Sequence, residues 1–159
     1  MWDAGPLDTL SWQNGTHSDA GRSKGTVMAD WIETQVTTKV SPRSVAATVA
    51  RLTGILSAKG MKVFAVIDQS EEAREAGQQL RETTLVIFGS PAAGTPVMDA
   101  APLAALDLPL KILIWADGSR TNVTYYSPGA IAARYGLSAE LAAKLAGIDP
   151  LTDALIADW

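Results

Sequence analysis

Phe88-Gly-Ser-Pro-Ala-Ala-Gly-Thr-Pro-Val-Met98 is the stretch on which the fold turns. It follows a β-branched run, Thr83-Thr-Leu-Val-Ile-Phe88, and precedes Asp107-Leu-Pro-Leu-Lys-Ile-Leu-Ile-Trp115. Both flanking runs have the length and composition of buried strands. Between them, Gly89, Pro91, Gly94 and Pro96 punctuate the chain, and the spacing predicts a rigid loop whose Thr95-Pro96 caps a short helix. Pro102 is expected to end or kink that helix.

Outward from there the pattern stays regular. Toward the N-terminus, residues 31–40 alternate, with Ile32, Thr34, Val36, Thr38 and Val40 on one side, and predict a half-buried strand. Ser41-Pro42 reads as a cap followed by proline. Val45, Val49, Leu52 and Leu56 form one apolar stripe of a helix, which Gly60 closes. Residues 61–68 predict a strand, and 71–80 a short polar helix or turn. Toward the C-terminus, Asp117-Gly118 marks a hairpin turn into a strand over 121–126. Ser127-Pro128, Ser138 and Asp149-Pro150 each announce a helical start, the last running to Trp159. The order β-α-β-(α)-β-α-β-β-α predicts an α+β fold, an antiparallel-rich sheet with helices packed on one face.

Length and composition narrow the function. One domain suits 159 residues, and 47% apolar residues suffice for a core. Residues 1–27, rich in Gly, Ser, Thr, Asn and Asp, show no period and read as a flexible N-terminal extension. Residues 28–159 then form a single domain. The net charge of −4, with no Lys/Arg cluster, argues against nucleic-acid binding. No apolar run has the length of a membrane span, and no signal-peptide pattern opens the chain, which leaves the cytoplasm as the expected location. The chain has no cysteine, and its one histidine, His17, lies in the extension. A metal centre, a cofactor and a Ser-His-Asp arrangement are therefore not expected.

Several residues invite a functional reading. Gly89, Ser90, Gly94 and Thr95 are candidates to cradle an anion with backbone N–H groups, although the loop is neither a Walker A loop nor G-x-G-x-x-G. Lys111 is the one charge inside its strand. Alternation sets it with Leu113 and Trp115, as a ligand anchor or as a lysine whose charge reaches the rim. Asp68 ends an apolar strand, where a general base, a partner for Lys111 and an ordinary turn residue are all possible. Tyr125 and Tyr126 point to opposite faces, one to pack and one to meet solvent or a pocket.

Three ordered motifs, Phe88–Met98, Asp107–Trp115 and Tyr125–Leu137, resemble those of the bacterial and archaeal domain of unknown function 302 family. The family patterns read F-G-N-P-x-A-G-T-P-L-M, D-L-P-L-K-V-L-V-W and Y-x-D-P-x-x-L-A-x-R-H-G-L. The resemblance implies a β-α-β(4)-α fold with TBP-like topology, commonly a homodimer, and no established chemistry. Gln69 and Tyr135 stand where the family often has histidine. Two functions emerge: a homodimeric module that binds a small anionic ligand or a protein partner, or a small enzyme, an isomerase or hydrolase of a carbonyl acid, using Lys111 and Asp68. No catalytic residue is assigned. The scarcity of His and Cys weighs against the enzyme.

Overall fold

The computed structural model describes residues 31–32 and 34–158. The expected extension over 1–27, His17, and the ending at Trp159 lie outside the described residues. Five strands make one antiparallel sheet: β1 (Val36–Ser41), β2 (Lys62–Asp68), β3 (Thr83–Gly89), β4 (Leu110–Asp117) and β5 (Arg120–Tyr126). Their spatial order is β1-β5-β4-β3-β2, so β1 and β2 occupy opposite edges and the apolar runs β3 and β4 lie inside. Helices among the described residues accompany them: α1 (Val45–Ala58), α2 (Gln69–Glu75), α3 (Pro91–Ala100), α4 (Pro128–Tyr135), α5 (Ala139–Ala143) and α6 (Ile148–Ile156). A 3₁₀ turn, Pro102–Leu106, joins α3 to β4. The α+β architecture, with helices on one side of an antiparallel sheet, is the one the sequence predicts.

Register decides which side is covered. Val86, Phe88, Ile112, Ile114, Val123 and Tyr125 face the helices and pack with Leu52 and Leu56 of α1 and with Ile148, Leu151 and Leu155 of α6. A second cluster joins Val97, Ala104, Leu108, Ile131 and Leu145 from α3, the 3₁₀ turn, α4 and the α5–α6 segment. Burying side chains of this size stabilises by roughly 1.5–3 kcal/mol each. The opposite face of the sheet carries Val36, Val40, Leu85, Ile87, Leu113, Trp115 and Tyr126, and no described helix covers it.

Four local expectations need correction. The first strand begins at Val36, not at residue 31, and the face that packs on the helices holds Lys39 and Ser41. Val40 lies on the open face, 51% exposed. Helix α1 is capped by Ser44, whose hydroxyl accepts from the Ala47 N–H at 3.2 Å, and not by Ser41. Helix α3 begins at Pro91, with Ser90 as its N-cap residue and Pro96 inside it. The predicted loop through Pro96 is thus mostly helix. Helix α6 begins at Ile148 with Gly147 as its N-cap residue, so Asp149-Pro150 lies inside its first turn and does not cap it. Ser127 and Ser138 do cap as expected, accepting from Ala130 and Leu141 N–H groups at 3.2 and 3.3 Å. Gly60 and Gly118 adopt φ +67° and +58°, the left-handed region that favours glycine.

Candidate functional site

The end of β3 and the first turns of α3 wall one side of a cavity of about 300 Å³. Gly89, Ser90, Pro91, Ala93, Gly94, Thr95 and Met98 supply that side. Met61, just before β2, and Phe64 of β2 close it, and Leu108, Pro109, Leu110, Lys144 and Leu145 complete it. Its volume falls at the lower end of the range of about 300–1,000 Å³ usual for small-molecule sites. The lining is mostly aliphatic, thioether or aromatic, and Lys144 is its only charged side chain among the described residues.

The backbone here does not form the anion cradle the sequence suggested. Ala93 and Gly94 both donate their N–H groups to the Ser90 carbonyl, at 3.0 and 2.9 Å. Thr95 lies one residue further into the same helix. Donors consumed by the helix cannot turn to a ligand. Gly89, Ser90, Gly94 and Thr95 therefore remain together as cavity wall, with space rather than N–H donors as their contribution. At Gly94 an added Cβ would meet only the Met98 methyl, at 3.7 Å. That is ordinary contact, so packing does not demand glycine there, even though glycine inside a helix is costly.

The other sequence candidates lie elsewhere. Lys111 sits on the open face opposite Ile87, and its Nζ donates to the Pro109 carbonyl at 3.2 Å. Asp68 is the N-cap of α2. Its Oδ1 accepts from the Ser70 hydroxyl at 2.5 Å and from the Glu71 N–H at 2.9 Å, and those bonds hold its carboxyl below the usual carboxylate value. Asp68 pairs with Thr84 at the start of β3, whereas Lys111 pairs with Ile87 near its end. An odd register offset puts them on opposite faces of the sheet, so the two do not form a catalytic pair. Tyr125 is buried on the helix side and donates to Asp149 Oδ1 at 2.6 Å. Burial first, then that hydrogen bond, raises its phenol above the ordinary value. Lys39 extends the cluster, bonded to Thr152 at 2.8 Å and to Asp153 at 2.7 Å. It ties β1 to α6 and has the form of a structural network.

A further cluster was not anticipated in the sequence. Asp107 Oδ2 accepts from the Tyr135 hydroxyl at 2.6 Å and from Arg134 Nη1 at 2.5 Å. Arg134 Nη2 also donates to Gln35 at 2.7 Å. Burial pushes the Asp107 carboxyl up, but the bonds from Tyr135 and Arg134 outweigh it and leave the value lowered. The spacing of 27 and 28 residues between partners carries no local signal. Gln69 follows the end of β2 beside Thr84, while Tyr135 lies on Asp107 just before β4. These two positions are at opposite ends of the strands and share no site. Among the described residues no group of three or more His, Asp or Glu could hold a metal ion.

Comparison with known proteins matches residues 36–155 to the model of Domain of unknown function DUF302. The crystal structure of an uncharacterized conserved DUF302 protein from Bacillus stearothermophilus superposes with a TM-score of 0.65 at 18% identity. The match covers 76% of this chain and 94% of that one, a likeness of fold. Among curated proteins, one named Fluoride-specific ion channel FluC 1 from Brucella suis is 39% identical over 120 residues, as is its namesake from Brucella abortus. The shared stretch is 74% of this chain but 47% and 44% of those proteins, so the chain spans about half the length of the curated relatives it matches.

Proposed function

The chain belongs to the DUF302 family, and from that premise we propose that it is a homodimeric binding module rather than a catalyst, with its small-molecule site in the cavity beneath α3. The observation that carries this reading is the cavity itself: about 300 Å³, apolar, and lined by a single charged side chain. Acid–base or nucleophilic chemistry needs at least two convergent reactive groups, and the lining offers no such pair. A preformed apolar cavity with few polar groups is what a small ligand requires. A thermal-shift screen with small amphipathic metabolites tests it: hits that raise the melting temperature and are lost in a cavity-filling Gly94→Leu chain support the site. Hits that survive Gly94→Leu would move it elsewhere.

The dimer is supported by the sheet face that no described helix covers. Five strands about 4.8 Å apart and some 20 Å long give a flat footprint of roughly 500 Å², which side-chain relief enlarges toward the ~800 Å² per partner of a standard interface. A protein partner on the same face is a second reading, favoured by the Brucella relatives. There the matched stretch is part of a longer protein named for a fluoride-specific channel, so a module of this kind is proposed to work beside such a channel. Co-purification of this chain with a Brucella relative's unmatched half, set against its self-association by light scattering, separates the two.

A further inference from the structure

Resting on the cavity as the binding site, we propose that its ligand is an amphipathic anion: an apolar body the size of a medium-chain acyl or small aryl group, bearing one acidic head. The walls define the body. Met61, Phe64, Met98, Leu108 and Leu145 present surface that rewards only apolar contact. Two methionines among them adapt to varied shapes, and Gly94 leaves open the volume a side chain would take. The mouth defines the head. Lys144 is exposed at the rim. Lys62 is exposed as well, and its Nζ stands 4.8 Å from the centroid of the Phe64 ring that forms one wall. The lining contains no carboxylate. An apolar interior with the Lys144 ammonium in its lining lets a carboxylate stay hydrated and paired while its tail leaves water. An acid drawn fully inside would lose its hydration uncompensated.

The sign of the preference is the distinguishing feature. A cavity that reads only apolar surface ranks the neutral alcohol above the carboxylate of equal length, because the charge resists desolvation. A cavity with a cationic mouth reverses that order. The experiment is calorimetric titration of the full chain with octanoate, 1-octanol and octylamine. Octanoate is expected to bind tightest and octylamine weakest. Lys144→Met is expected to weaken octanoate roughly two- to fivefold, the range of an exposed ion pair, and to leave octanol unchanged. Raised salt should act like the mutation. Gly94→Leu should abolish all three. Octanol equal to or tighter than octanoate, with Lys144→Met indifferent to both, overturns the anionic head and leaves the apolar cavity standing. Failure of all three probes on a chain with an intact melting transition overturns the cavity reading and this proposal with it. Lys144 is exposed and outside both cores, so the variant tests binding without threatening the fold.

Discussion

Lys111 donates to a single carbonyl, that of Pro109, its charge helps to lower the Asp107 carboxyl, and its stem stays on the open sheet face. No carboxylate forms an ion pair with it among the described residues. Lys111→Met should therefore change stability by no more than about 0.5 kcal/mol in urea denaturation. A loss of about 3–5 kcal/mol, the signature of a broken buried pair, would contradict that assignment. Asp107 behaves differently. Its folded carboxyl titrates below the ordinary value, so it contributes stability that is present above the unfolded value, about pH 4, and lost as pH falls through the folded one. Asp107→Asn should be less stable than the native chain at pH 6. The gap should narrow as pH falls below about 4, and a gap that does not change with pH would mean that Arg134 and Tyr135 hold the segment without the charge. Of these two residues only Lys111 could be read from sequence, because alternation within one strand fixes its neighbours. Asp107 and Tyr135 meet through tertiary folding, across a separation that no local pattern encodes.

Helix α3 is the element on which cavity and stability pull in opposite directions. Gly94 interrupts it, and alanine there would meet only the Met98 methyl. Gly94→Ala should raise stability by about 0.5–1 kcal/mol while narrowing the cavity and weakening any ligand held there. Denaturation and titration of one variant read both effects, and a variant that loses stability would show a strained site in place of an open one. The same helix marks the limit of local signals. Ser90-Pro91 and Thr95-Pro96 both have the form of a cap before proline, and sequence alone favoured the second. The first prevails because Ala93 and Gly94 can already bond to the Ser90 carbonyl. Ser127 and Ser138 were legible because nothing nearby competes with them. Strand β1 shows a related limit: its alternation was visible, but period two names two faces without saying which will be covered. Lys39 and Ser41 were turned inward by partners on α1 and α6, Thr48 and Asp153.

At the scale of the molecule, the described helices dress one side of the sheet and leave the other bare. Leu113 lies centrally on the bare side, between Leu85 and Thr124. If two copies meet there, Leu113→Lys should convert a dimer to a monomer by light scattering with the sheet intact by circular dichroism. A native chain that is monomeric at every concentration would sink the dimer. The edge positions of β1 and β2 bear on how the protein comes into being. β1 is made before the other described strands, yet its neighbour among them is β5, whose residues 120–126 come some eighty positions later. During synthesis the first strand has no strand to pair with until β5 arrives, whereas its helix can already dock on β2, β3 and β4 once they form a meander. The sheet therefore closes late, by the addition of its earliest strand. Nascent chains stopped short of β5 should leave β1 unpaired and the β4 edge open, which makes that interval the one in which a holding chaperone has most to protect.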